Sequence, residues 1–118
     1  MSRKHKSKSP EWQWEQSLID AYYDARMHEQ LDPLYEKFQR WKAGELGHED
    51  IDEAIHEVHK MNQKLYSFFT QRREMLVFLI QTDEEWFTGW LADHPPPPGV
   101  GVRQPVKYIE VEEESGNE

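Results

Sequence analysis

Apolar side chains recur along the middle of the chain at steps of three and four. The steadiest run is Ile55, Val58, Leu65, Phe69, Leu76 and Leu79, with Asn62 and Arg72 standing where an apolar residue is due. An alternating four-three spacing held over about three and a half heptads marks one face of a long α-helix. It predicts a helix over residues 48–81, about 50 Å long at 1.5 Å per residue. Towards its end Phe68, Met75 and Phe78 make the pattern apolar almost all round, so that half should be buried on more than one side.

An earlier row, Trp12, Ile19, Tyr23, Met27, Leu31, Leu34, Phe38 and Trp41, predicts a first helix with these residues on its buried face. Its start is marked by Ser9-Pro10-Glu11: a capping hydroxyl, proline at the first helical position, and an acid facing the positive end of the helix dipole. Asp32-Pro33 should kink this helix rather than divide it, because the row continues in phase across the proline. Ala43-Gly44-Glu45-Leu46-Gly47 reads as a turn, its glycines suiting a C-cap and a tight reversal. The second helix then starts near His48 to Asp50, with Glu49, Asp50, Asp52 and Glu53 at its positive end. Thr82-Asp83-Glu84-Glu85 caps a short last helix carrying Trp86, Phe87, Trp90 and Leu91 and ending before His94. Its aromatic residues suit either a plug for the helical pair or an anchor for a partner, and the plug is the commoner use in small cores.

The predicted fold is all-α: a long helical hairpin with a short C-terminal aromatic helix. Two helices give each apolar stripe only one neighbour, so a second copy completing a four-helix bundle is expected. The organisation read from the chain is a basic, disordered arm over 1–10, a helical domain over 11–94, and a Pro-rich, acidic, extended tail over 95–118. The tail opens with Pro95-Pro96-Pro97-Pro98-Gly99, which ends any helix and favours polyproline II. Further on, Val106 to Val111 suits a short strand added to a partner's sheet or a mobile acidic segment.

Charge sharpens this picture. The 118 residues carry a net charge of -9, but Arg3, Lys4, Lys6 and Lys8 put four cations and no acid in the arm. The segment 11–94 holds 18 acids against 8 bases. A body this acidic repels phosphate backbones, which excludes duplex nucleic acid as a main ligand. The absence of cysteine excludes a disulfide framework, a zinc ribbon and a cysteine nucleophile. The longest apolar run, Met75 to Ile80, is far short of the roughly 20 residues a bilayer requires, so no membrane span is expected. With no apolar stretch behind MSRKHKSKS, a secretory signal is not expected either, and the predicted location is cytoplasmic.

Candidate chemistry centres on Glu53-x-x-His56, the carboxylate-histidine spacing that di-iron helical bundles use. His59, Asp24 and His28 complete a candidate metal set, with iron, manganese or zinc as the cofactor. Helical angles oppose it: with Ile55 at zero the apolar seam centres near about 300°, while Glu53 falls at about 160° and His56 at about 100°. Lys60 and Lys64 share the side of Glu53 and His56, and their charge opposes a metal ion. A solvated face with an ordinary ion pair accounts for these residues more simply. There is no glycine-rich phosphate loop, nucleophile elbow or H-E-x-x-H motif. Asn62 and Arg72, on the seam, suit register-fixing polar pairs, with Glu36, Asp24 or Glu29 as acids for Arg72. The expected function is non-catalytic and without a cofactor: formation of a homodimer and docking of a protein partner. The residues expected to carry it are Ile55, Val58, Asn62, Leu65, Phe69 and Arg72, with Trp86, Phe87 and Trp90 as anchor.

Overall fold

The computed structural model describes residues 8–102. Expectations for residues 1–7, and for the tail from residue 103 with its Val106–Val111 segment, lie outside the described residues. Four helices follow one another: α1 (Pro10–Lys42), α2 (His48–Phe69), α3 (Arg73–Thr82) and α4 (Glu84–Asp93). Among the described residues there is no strand, and the protein is all-α.

Each helix end has a local cause. At the start of α1 the Ser9 hydroxyl accepts the Trp12 N–H at 3.0 Å, with Pro10 at the first helical position. The helix runs without a break through Pro33, which removes one backbone donor while the flanking turns hold. It ends at Gly44, whose φ of 82° is left-handed. The Gly44 N–H donates to the Trp41 carbonyl at 3.0 Å and the Glu45 N–H to the Arg40 carbonyl at 2.8 Å, the paired bonds of a Schellman turn. Where such turns commonly place an apolar contact, Arg40 and Glu45 form an ion pair at 3.4 Å. α2 opens with the Asp50 carboxylate accepting the Gly47 N–H at 3.1 Å, half of a capping box.

The single helix expected over 48–81 is instead two helices. α2 stops at Phe69 and α3 starts at Arg73. Polar side chains capture the last carbonyls of α2: both the Thr70 hydroxyl, at 3.0 Å, and the Thr70 N–H donate to the Ser67 carbonyl, and Gln71 Nε2 donates to the Phe68 carbonyl at 3.2 Å. Such bonds compete with continued helix, and here they win. The short aromatic helix starts after Asp83 and ends at Asp93, as the cap pattern predicts.

The described chain divides into two compact units: one takes residues up to Asp20 and from Arg73 onward, the other Ala21–Arg72. In the second unit, Tyr22 packs its ring near Phe68 and Phe69, Gln30 reaches Met61, and Trp41 Nε1 donates to His48 Nδ1 at 3.0 Å. Residue numbers therefore fall on α2 as they rise on α1, which is an antiparallel pair. Its core is Tyr22, Gln30, Ile51, Ala54 and Leu65. The first unit buries Trp14, Leu18, Leu76, Val77, Ile80 and Phe87.

These lists correct the expected buried face of α1. Trp14, Leu18, Tyr22 and Gln30 are buried, whereas Tyr23, Leu31 and Phe38 of the expected row are exposed, and Tyr35 beside them is 64% exposed. α1 carries two apolar faces, and spacing alone does not say which one the chain covers.

Candidate functional site: two flanks of the α1–α2 pair

On each helix of the Ala21–Arg72 unit the buried residues form a floor with a rim on either side. Along α2 the floor is the buried Ile51, Ala54 and Leu65, with the half-buried Val58 between them. At about 100° per residue one rim holds Asp50, Glu53 and Glu57, and the other holds Ile55, Asn62 and Tyr66. Along α1 the corresponding rims are Glu29, Pro33 and Lys37 on one side and Leu31, Tyr35 and Phe38 on the other. Glu29, Pro33, Lys37, Asp50, Glu53 and Glu57 all line a single groove of about 420 Å³, so these rims belong to one flank. The remaining rims form the opposite flank.

The two flanks differ in chemistry. The groove flank is acidic, with four carboxylates to one ammonium over a floor of Leu34, Ala54, Val58 and Met61. The opposite flank presents Leu31, Tyr35 and Phe38 from α1 with Ile55, 40% exposed, and Tyr66 from α2. Tyr23 continues this side, set edge-on to Phe69 at 5.1 Å.

Gln30 lies on the groove floor. It is only 7% exposed, and its Nε2 donates to the Met61 carbonyl at 3.4 Å. That bond fixes the orientation of the amide, since the flipped form would set two carbonyl oxygens against each other. Gln30 Oε1 is buried and has no hydrogen-bond partner among the described residues. Beyond Gln30 and Met61 the flank continues into a recess of about 350 Å³ lined by Lys64 and by Arg26, which pairs with Glu29 at 2.7 Å.

The residues expected to bind a partner fall in several places. Ile55 and Asn62 are exposed on the apolar flank, Val58 and Phe69 are half-buried, and Leu65 is in the core. Arg72 is exposed at the α2–α3 break. Trp86, Phe87 and Trp90 belong to the first unit. Phe87 is buried there, and Trp90 stacks on Trp86 and on the His94 ring, the latter at 4.5 Å between centroids. Trp14, from the start of α1, tilts against Trp90 at 5.6 Å, and its Nε1 donates to the His94 carbonyl at 2.8 Å. The proline run that follows closes in a turn, Val100 N–H donating to the Pro97 carbonyl with Gly99 at φ 87°, the type II arrangement.

The candidate metal residues are dispersed. His56 pairs with Asp52 at 3.5 Å rather than with Glu53, which faces the groove. His59 is exposed. Asp24 and His28 belong to a surface ladder on α1 in which His28 Nδ1 lies 3.2 Å from Asp32 and Nε2 lies 3.8 Å from Asp24. The hydrogen bond to Asp32, and then the charges of Asp32 and Asp24, raise the His28 pKa above its ordinary 6.5. Among the described residues, no three His, Asp or Glu side chains gather as metal ligands do.

Three residues with large structural roles escape the periodic reading: Trp14, Gln30 and Arg73. The guanidinium of Arg73 donates to the Gln16 Oε1 at 2.8 Å, the Trp12 carbonyl at 2.9 Å and Glu15 at 3.4 Å, and lies 4.2 Å over the Trp12 ring. Its partners are 57 to 61 positions away, which no local pattern reveals. Gln30 had a signal, since it extends the four-residue series of Trp14, Leu18 and Tyr22. No helix among the described residues is long and apolar enough to cross a membrane. No family model matches the chain, and comparison with curated proteins and with solved structures finds no match.

Proposed function

We propose that the chain is a non-catalytic protein that forms a homodimer and docks a protein partner, and that it self-associates through the apolar flank of the α1–α2 pair. The supporting observation is the run of large apolar side chains left in solvent on that flank: Leu31, Tyr35, Phe38 and Ile55. A two-fold axis brings a surface onto itself, so an apolar patch is self-complementary without any charge pattern. The acidic flank is a poor choice for the same contact, because it would set like charges together. Asn62, on the apolar flank, supplies a polar group of the kind that fixes register at such interfaces. Two antiparallel helix pairs joined in this way make a four-helix bundle.

Sedimentation equilibrium tests this directly. The expected mass in the micromolar range is twice the 14.2 kDa of the chain. Phe38→Glu with Ile55→Glu should return the single-chain mass with the helical circular dichroism retained, since both side chains are exposed. A single-chain mass for the unsubstituted protein at every concentration examined overturns the proposal.

A further inference from the structure

The apolar flank carries titratable groups among its large side chains. On α1 its stripe is Asp24, His28, Leu31, Tyr35 and Phe38, and on α2 it is Asp52, Ile55, His59, Asn62 and Tyr66. Both stripes step by three and four residues in alternation, the spacing of one helix face. All ten residues are exposed. Tyr22 lies level with Phe68, Gln30 with Met61 and Trp41 with His48, which sets the register of the antiparallel pair. In that register the stripes pair from Asp24 with Tyr66 at one end to Phe38 with Asp52 at the other. Leu31 with His59 is the middle layer.

That position decides what His59 meets in a dimer. A two-fold axis that overlaps the flank fully with itself carries the centre of the patch onto its own copy, whatever the direction of the axis. With the axis across the helices His59 meets the second copy's His59, and with the axis along them it meets the second copy's Leu31. Neither supplies a counter-charge. The carboxylates of both helices near this layer are engaged: Asp24 and Asp32 flank His28 at 3.8 and 3.2 Å, and Asp52 pairs with His56 at 3.5 Å. Tyr35 is the remaining titratable group of α1 close to Leu31, and Lys60, next to His59, adds a cation. His59 itself has no ion pair among the described residues. A neutral imidazole can enter such a contact, whereas a protonated one would be desolvated without a partner, which is strongly disfavoured.

We propose that mild acid separates the dimer: the two His59 rings at its centre must be neutral for the copies to join, and their protonation parts them. The inference rests on the reading of the apolar flank as the dimer contact and adds the condition under which that contact holds. Histidine is the side chain that changes charge between about pH 5 and 8, so the change falls in an ordinary range. His28 does not share this role. The hydrogen bond to Asp32, with the charges of Asp32 and Asp24, raises its pKa above 6.5, so its proton is balanced within one chain. Overall repulsion has the opposite sign, because acid reduces the net charge of -9 that each copy carries.

The test is sedimentation equilibrium of the full chain at about pH 7.5 and about pH 5.5, in about 0.15 M salt to screen long-range repulsion. The dissociation constant should rise at least about tenfold at the lower pH, through proton linkage to two histidines per dimer. His59→Leu, a change at an exposed position, should associate with a dissociation constant that differs less than about threefold between the two conditions. His59→Lys, which is charged in both, should weaken association at least about tenfold in both. Helical circular dichroism recorded alongside should stay constant, which distinguishes separation from unfolding. An unchanged dissociation constant in the unsubstituted protein overturns this proposal and leaves the dimer standing, whereas a single-chain mass in both conditions overturns the two together. An undiminished acid response in His59→Leu, full association of His59→Lys, or separation accompanied by loss of helicity each overturns the proposal as well.

Discussion

At the scale of the residue, His28 shows how a surface side chain takes on a pH dependence. It sits between Asp24 and Asp32, one turn away on either side of α1, and the hydrogen bond to Asp32 is the larger influence. The protonated ring is favoured in the folded helix, so its pKa lies above the 6.5 of an unrestrained histidine. A raised folded pKa gives stability that is fully present below the unfolded value and is lost as pH rises through the folded one. An NMR titration of the His28 ring should therefore give a midpoint above 6.5 in the native protein, falling towards that value in Asp32→Asn. Because the ring is exposed, added salt should shrink the difference. An unchanged midpoint in Asp32→Asn would show that the ladder does not hold the proton.

At the scale of the element, the start of α3 is fixed by Arg73, whose guanidinium ties it to the first turns of α1. Bonds from a charged group to three acceptors, with the Trp12 ring below, make this a strong local clamp. Arg73→Met keeps the stem and removes the fork, and it should cost about 2 kcal/mol in a urea unfolding experiment. Arg72→Met, one residue earlier and exposed, should change stability by less than about 0.5 kcal/mol. Equal effects for the two would refute the clamp. The same region marks where the sequence stops being legible. The apolar phase from Ile55 to Leu79 is sustained, and the structure keeps helix on both sides of the break. What ends α2 is Thr70 and Gln71 bonding to carbonyls three residues back, an event that leaves the hydrophobic pattern undisturbed. On α1 the period was legible but the choice of face was not. Tyr22 and Tyr23 are adjacent in the sequence, and only packing against Phe68 and Phe69 makes one of them core and the other rim. Caps were the most readable features, because Ser9-Pro10 and Gly44 act through their own backbone geometry rather than through distant partners.

At the scale of the whole molecule, each unit has its own buried residues, and its stability should be separable from that of the other. Phe87→Ala removes a ring from the core of the first unit, a change that typically costs about 3–5 kcal/mol. Hydrogen exchange followed by mass spectrometry should then show faster exchange in α3, α4 and the residues of α1 before Asp20, with α2 close to its native rate. Uniform acceleration across all four helices would mean that the two units open together. The candidate groove is likewise a product of the whole Ala21–Arg72 unit. Its carboxylates were visible as an acidic stretch, but their meeting with Glu29 and Lys37 along one groove depends on which residue of α1 faces which residue of α2.

The way the chain threads these units bears on how the protein reaches its native state. The Ala21–Arg72 unit is one continuous stretch whose two helices are joined by a five-residue turn, so its contacts are local and its search is short. The other unit is assembled from the two sides of that stretch, with Trp14 bonded to His94 across 80 positions of chain. Closing so long a loop from a flexible chain carries an entropic cost that the local contacts of the helix pair do not bear. The topology therefore predicts an order of formation, the inserted pair first, which pulse-labelled hydrogen exchange should show as earlier protection of α2 than of α3 and α4. During synthesis the same order is enforced in time, because Trp14 leaves the ribosome long before the residues it must meet.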